Sequence, residues 1–289
     1  MPELPEVETL RRELKILTGK KISETTVKHP KAVLPLSPAE FAALLKGRQI
    51  KALQRRAKVL MLKLSGGHSL LIHLKMTGQL IYVAAGQKPV AGGHPQKGGL
   101  DDLPNRYTHI WFDFTDGSKL YFNDLRKFGW MKAVSDETAA ALTKHVGPEP
   151  LGSAFTPSYL QDIFARHPKR TVKQILLDQT LIAGIGNIYA DESCYLARIL
   201  PMRRAGGLTP AEIKKLHQAI IGVLKLSIKK KGTSARDYVR SDGTPGGFNA
   251  YLNVYGQSKK TCSRCGGAIS KIKFQGRGTH FCPRCQKDL

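Results

Sequence analysis

Two cysteine pairs near the C-terminus, Cys262-Ser-Arg-Cys265 and Cys282-Pro-Arg-Cys285, constrain this chain more than any other feature. Two CxxC pairs this close in sequence are the pattern by which four thiolates close a tetrahedron around one Zn²⁺. The chain has 5 cysteines and no readable secretory leader, so a reducing compartment is expected and zinc is favoured over a disulfide pair. Four thiolates leave no position open for water, which makes the metal structural. The chemistry is therefore sought elsewhere. Between the pairs, Gln275-Gly-Arg-Gly278 predicts a glycine-flanked turn that presents Arg277.

Charge points to the partner. Lys and Arg number 46 against 22 Asp and Glu, a formal net charge of +24, while 41% hydrophobic residues are enough for packed cores. Such a field attracts a polyanion and opposes association of like surfaces, so a monomer is expected. The plain alternative is a basic soluble or ribosome-associated protein, but Arg264, Arg277 and Arg284 in the cysteine module favour nucleic acid. No run of eighteen apolar residues exists, and no membrane span is predicted.

The pattern of the chain divides it. Val7, Leu10, Leu14 and Leu17 repeat at helical spacing from Pro5 to a stop at Gly19, with Glu6 and Glu8 at the positive end of the helix dipole. Ser37-Pro38-Ala-Glu40 opens a second helix. Strand patterns follow at 59–64, 69–74, 79–83, 108–114 and 119–123, broken by Ser65-Gly-Gly67, Thr77-Gly78 and Asp116-Gly117, a rhythm of antiparallel sandwiches or barrels. Residues 84–105 are rich in Gly and Pro and predict a mobile surface loop. After Gly147-Pro148-Glu-Pro150 the pattern turns helical: Thr156-Pro157, then Val172 to Leu177, then the capping box Thr209-Pro-Ala-Glu212 ahead of a long apolar stripe. The turn Gly184-Ile-Gly-Asn187 precedes another helix and suits phosphate binding by backbone amides, although glycines also serve ordinary packing. Cys194 on that helix reads as a small buried side chain. The expected fold is α+β. It comprises an N-terminal antiparallel β-sandwich with flanking helices (1–147), a helical helix-two-turn-helix domain (148–255) and a β-hairpin zinc finger (256–289).

Pro2-Glu-Leu-Pro-Glu6, Arg55-Arg-Ala-Lys58, His73-Leu-Lys-Met76, Arg126-Lys-Phe128-Gly129, Gly184-Ile-Gly-Asn187 and the four-cysteine site together resemble the bacterial formamidopyrimidine-DNA glycosylases. The resemblance runs in order over nearly the whole chain. Two departures are the stretch 84–105, longer than the family's usual connection, and Lys75, where many members have Gly.

The resemblance implies a base-excision repair enzyme that removes oxidised purines, 8-oxoguanine and formamidopyrimidines, from double-stranded DNA and then cuts the strand at the abasic site. It implies that Pro2, once Met1 is removed, attacks C1′ as a secondary amine, that Glu3 moves protons, and that Lys58 and Arg277 hold phosphates at the damaged nucleotide. Glu6 would be a further active-site carboxylate. Met76, Arg126 and Phe128 would fill the void left by the flipped base, with His73, His109 and Asn187 on the DNA backbone. The segment 234–250 would close over the base. Cys262, Cys265, Cys282 and Cys285 would hold the single Zn²⁺, with no catalytic metal, and the location would be cytoplasmic, on the nucleoid. By the residues alone, each position has a plainer use: Pro2 as a helix start, Glu3 as a solvated acid, Lys58 as a surface charge, Met76 and Phe128 as core, Asn187 as a helix cap. Leu4, the set of three void-fillers and the long 234–250 segment favour the purine branch over the sister glycosylases for oxidised pyrimidines. The remaining classes are a non-catalytic zinc-dependent DNA-binding protein and an RNA-binding protein of ribosomal type.

Overall fold

Short alternating runs punctuated by turn residues become two antiparallel sheets in the computed structural model, which describes residues 1–94, 102–233 and 246–287. The N-terminal elements are α1 (Leu4–Glu13), β1 (Ile22–Val27), α2 (Pro38–Leu45), β2 (Ile50–Arg56), β3 (Val59–Leu64), β4 (His68–His73), β5 (Gly78–Val83), β6 (Val90–Gly93), β7 (Thr108–Phe114), β8 (Lys119–Asp124), β9 (Trp130–Ser135) and α3 (Asp136–Lys144). One sheet has the order β1-β7-β8-β5-β6 and the other β2-β3-β4-β9. Leu60, Leu62 and Ile72 from the second sheet share a buried cluster with Leu80, Phe112 and Phe122 from the first, which makes the sandwich. Leu10, Leu14 and Leu17 join the same cluster and seat the N-terminal helix on it.

The N-terminal helix begins at Leu4, one residue before the expected Pro5, because Glu3 and Glu6 form a reciprocal capping box. Its last predicted turn tightens to a 3₁₀ turn over Leu14–Leu17, which keeps both leucines buried. The expectation of an irregular loop over 84–105 is corrected at Val90–Gly93, where β6 pairs with β5 in the register Tyr82↔Val90 to Gln79↔Gly93. Its composition misled because the backbone comes too close for side chains: a Cβ at Gly92 would lie 2.5 Å from Leu10 Cδ1, and one at Gly93 2.3 Å from the Gly78 carbonyl oxygen. Residues 95–101 lie outside the described residues.

The second half is helical: α4 (Pro157–Arg166), α5 (Val172–Leu177), α6 (Asn187–Ala197) and α7 (Pro210–Lys229), followed by the hairpin β10 (Ser270–Phe274) and β11 (Arg277–Phe281). Thr156, Thr171 and Thr209 each cap the following helix, accepting a backbone N–H of its first turn. Ile213, Leu216, Ile220 and Leu224 of α7 pack with Ile163, Phe164, Tyr189 and Cys194, which is fully buried as its sequence context suggested. Tyr195 and Val254 share a small cluster with Cys262, Ile269 and Cys282, so the cysteine module rests on α6.

The chain forms two compact units, Met1–Lys144 with Lys231–Gly246, and His145–Lys230 with Gly247–Leu289. Among the described residues, no helix is long and apolar enough to cross a membrane.

Candidate functional site

In the N-terminal unit, Pro2 is buried and Glu3 is only 3% exposed, an unusual state for the first residues of a chain. The Glu3 N–H donates to Glu6 Oε2 at 2.9 Å, and Glu6 Oε1 accepts the Thr233 N–H at 2.9 Å. Gly232, at φ +82°, lies close enough that a Cβ there would be 3.1 Å from Glu6 Oε1. Glu6 is therefore more than a favourable charge at the helix start: it ties the start of α1 to residues 232–233. The segment expected to close over a base, 234–250, lies outside the described residues except for its end, from Gly246.

Lys58 occupies the two-residue turn between β2 and β3, whose last pair is Arg56↔Val59. It is 7% exposed, and a buried lysine in so basic a chain is the outlier to explain. Its neighbour Ala57 has φ +51°, a left-handed conformation that an alanine adopts at a cost of about 1 kcal/mol. A tight hairpin turn needs a positive φ here, and the chain meets that need without glycine.

Met76, Arg126 and Phe128 sit on two turns, one after β4 and one between β8 and β9, and Asp124 joins them. Its Oδ1 accepts the Thr77 hydroxyl and, at 3.2 Å, the Arg126 N–H; its Oδ2 accepts the Gly129 N–H at 2.6 Å. The Thr77 hydroxyl also accepts the Arg126 N–H at 3.0 Å. Gly129 is held to glycine because a Cβ would meet Phe122 Cζ at 2.5 Å. Phe128 remains 55% exposed with the Arg126 guanidinium 4.8 Å above its ring, while Met76 is half-buried. An exposed aromatic capped by a cation suits insertion between bases.

His109 is buried, with Nε2 2.7 Å from the Asp124 carbonyl oxygen, and so supports the β8–β9 turn from below. His73 Nδ1 accepts the Lys75 N–H at 2.9 Å. Burial first, then the Lys75 and Lys58 cations, push His73 down to about 3, so it is a neutral acceptor at physiological pH. Lys75 has φ +50°, which explains physically why glycine suits that position. Thr77 and Asp124 were missed in the sequence, although an Asp closing a strand before a turn is a usable signal.

In the C-terminal unit, Gly186 is the N-cap of α6, so Asn187 is not the cap its sequence context allowed. Its Nδ2 donates to the Gly278 carbonyl at 2.9 Å, beside Arg277. The Gly184 amide does not face outward as the phosphate reading expected: it donates to Gln179 Oε1 at 2.9 Å. Beneath Gly278, Lys173 Nζ contacts Asp191 Oδ1 at 2.5 Å and Thr279 Oγ1 at 2.9 Å, and Asp191 Oδ2 accepts the His280 N–H at 2.9 Å. A concavity of about 340 Å³ opens beside Arg170, Lys173, Phe274, Gln275 and Arg277. Gln275 and Gly276 form the hairpin turn with φ +48° and +73°, and Arg277 opens β11 opposite Phe274.

The four cysteine Sγ atoms lie within 4.8 Å of one another. Cys265–Cys282 and Cys262–Cys285 are 3.5 and 3.9 Å apart. A regular tetrahedron with 2.3 Å Zn–S bonds has edges of about 3.8 Å, whereas a disulfide requires about 2.05 Å. The donor set fits one structural Zn²⁺. Tyr195 Oη lies 3.3 Å from Cys262 Sγ, and the Arg264 guanidinium covers the Tyr195 ring at 4.3 Å.

Comparison with known proteins agrees along the chain. Residues 1–131 match the formamidopyrimidine-DNA glycosylase N-terminal domain, 146–239 the H2TH domain of the same enzymes, and 259–287 the zinc finger found in FPG and IleRS. The formamidopyrimidine-DNA glycosylase of Pelotomaculum thermopropionicum is 42% identical, covering 99% of each chain. That of Geobacillus kaustophilus is 41% identical over 99% of this chain and 100% of its own. A Lactococcus lactis FPG mutant solved with a Fapy-dG containing DNA superposes with a TM-score of 0.88 at 36% identity, over 99% of this chain and 100% of that one. With full-length identity above 40% and all three domains matched in order, this chain belongs to the formamidopyrimidine-DNA glycosylase family.

Proposed function

We propose that the protein is a base-excision repair glycosylase and abasic-site lyase that removes formamidopyrimidines and 8-oxoguanine from double-stranded DNA. The carrying observation is the buried Pro2-Glu3 pair at the head of α1, fixed by the Glu6 carboxylate. The relatives named for this activity, and the Lactococcus lactis protein solved with Fapy-dG and abasic-site DNA, support the same reading. A wild-type Lactococcus lactis protein has also been solved with an oxidised pyrimidine containing DNA, which keeps oxidised pyrimidines as the second substrate class.

In this reading Met1 is removed and the Pro2 nitrogen forms a bond to C1′ while the base departs with its electron pair. The N–H proton of Pro2 passes to the departing base, and Glu3 protonates the sugar ring oxygen as the ring opens and leaves an iminium. The iminium acidifies C2′, and loss of that proton expels the 3′ phosphate, then the 5′ phosphate by a second elimination. Lys58 and Arg277 hold the phosphates, Arg277 with two parallel donors. Met76, Arg126 and Phe128 occupy the space left by extrusion, which costs a few kcal/mol. His73, His109 and Asn187 contact or support the backbone. Cys262, Cys265, Cys282 and Cys285 hold Zn²⁺, which folds the hairpin that carries Arg277 and leaves the chemistry to side chains. The working division is a catalytic domain (1–147), a DNA-binding domain (148–255) and a zinc finger (256–289), in a monomer of the bacterial cytoplasm gathered on the nucleoid.

The test is borohydride trapping of the Met1-processed protein on a duplex with one 8-oxoguanine opposite cytosine, with mass spectrometry of the adduct. An adduct on Pro2 is expected. Trapping only on an oxidised-pyrimidine duplex moves the protein to the sister group, and no trapping on either leaves a DNA-binding protein.

A further inference from the structure

Glu8 is a buried carboxylate that the reaction does not use, yet it gathers three arginines. Its Oε1 accepts Arg11 Nη2 and Arg12 Nε, each at 2.8 Å, and its Oε2 accepts Arg11 Nε at 3.0 Å and Arg55 Nε at 3.3 Å. Arg11 and Arg12 are helix neighbours of Glu8, and their pairing is ordinary. Arg55 is not: it comes from β2 and reaches back across the sandwich edge to α1. Its other end donates through Nη1 to the Ala57 carbonyl at 2.9 Å. That carbonyl belongs to the left-handed residue immediately before Lys58.

We infer that Arg55, held by Glu8, is the positioning residue for Lys58. One guanidinium binds the helix that begins next to Pro2 and, at the same time, the turn that aims Lys58. A left-handed alanine carries strain that an isolated turn relieves by relaxing, and the Arg55 donor opposes that relaxation. The relay thus references the nucleophile's helix and the phosphate-holding lysine to one another. Lysine at position 55 has a point charge in place of the planar fork whose two nitrogens make these contacts. A second arginine contact, Arg11 Nη1 to the Leu53 carbonyl at 3.3 Å, fastens β2 to the same helix. The inference rests on the proposed role of Lys58, and displacement of a positioned group by about 1 Å costs on the order of 100-fold in rate.

The experiment pairs kinetics with hydrogen exchange. Arg55→Met keeps the aliphatic stem and removes the fork; Glu8→Gln keeps the shape and removes the charge. On a duplex with a preformed abasic site, both variants should slow single-turnover trapping on the order of 10- to 100-fold while duplex affinity changes less than about 3-fold. In a Lys58→Ala background, Arg55→Met should add less than about 2-fold, because the group it positions is gone. Arg55→Lys should not rescue. A full multiplicative loss in the Lys58→Ala background, or unchanged trapping in both single variants, overturns the inference. If the wild-type protein traps nothing, the functional reading fails, and amide exchange decides the relay alone. Exchange at Lys58 and Val59 should accelerate at least about 10-fold in Arg55→Met relative to the β3–β4 amides, and equal exchange overturns it.

Discussion

Lys173 Nζ sits 2.5 Å from Asp191 Oδ1 with the two side chains 2% and 0% exposed, so α5 and α6 are joined by a buried ion pair. Asp191 also accepts the His280 backbone N–H, and Lys173 Nζ donates to the Thr279 hydroxyl oxygen, which carries the same network into the zinc hairpin. Removing one partner strands the other charge in a low-dielectric interior, at a cost of about 3–5 kcal/mol. Lys173→Met should therefore destabilise the C-terminal unit by about that amount in urea unfolding, and Lys173→Met with Asp191→Asn should recover part of it. Additive losses in the double variant would show that the pair does not act as a unit.

Asp124 holds the turns bearing Met76 and Arg126 with both of its side-chain oxygens. Asp124→Ala should loosen both turns and leave two buried donors unpaired, at about 1–3 kcal/mol. Excision should fall at least about 10-fold in single-turnover assays, whereas affinity for undamaged duplex should hold, since few phosphate contacts are lost. Gly129→Ala tests the same support from the other side, by driving a Cβ into Phe122 and Asp124.

Two groups near the proposed site contribute to the acid response. Burial opposes ionisation of Glu8, but hydrogen bonds from Arg11 and Arg12 and the charges of Arg11 and Arg55 overcome it and bring Glu8 to about 2. The folded value lies below the unfolded one, so this stabilisation is complete above pH ~4.5 and is lost as pH falls toward 2. His73, held neutral with a value of about 3, stabilises fully above pH ~6.5 and loses that contribution as pH falls from ~6.5 to 3, because only the unfolded chain takes up the proton. Thermal melts of His73→Asn between pH 7 and 3 should show a flatter pH dependence than wild type. An unchanged slope would mean that His73 titrates normally.

Removing zinc should unfold the hairpin that carries Arg277 and abolish tight duplex binding, while the two sheets of the N-terminal unit persist. Metal analysis should give one zinc per chain, and Cys262→Ser should give none. Cys194 should stay unreactive to thiol reagents in the native state, since burial raises its pKa far above the usual thiol range. Tight binding that survives chelation would contradict the role of the hairpin.

Features written in adjacent residues were legible in the sequence: the two cysteine pairs, the Thr-capped helices, the hairpin turn before Arg277, and strands bounded by Gly. The short edge strand Val90–Gly93 was not, because its glycines answer to Leu10 and Gly78 rather than to a local pattern. Strands β1, β2 and β9 were also missed; their alternation is diluted by charged residues on the solvent side. Of the proposed site, Pro2, Lys58, Met76, Arg126 and Phe128 lie in the sequence motifs that carry the family resemblance. The supports did not announce themselves, since His280 and Asp191 are 89 positions apart, Arg55 and Glu8 are 47 apart, and nothing local marks either pair.

Tyr195 belongs both to α6 and to the cluster around Cys262 and Cys282. Folding of the metal knuckle and packing of the helices are therefore linked equilibria, and zinc affinity becomes a gauge of helical order. Each 1.4 kcal/mol lost from that shared packing raises about tenfold the free zinc needed to keep the knuckle closed. A substitution in the helical core, away from the four clustered cysteines, can thus present itself in a cell as zinc starvation of the protein, and be corrected by zinc alone.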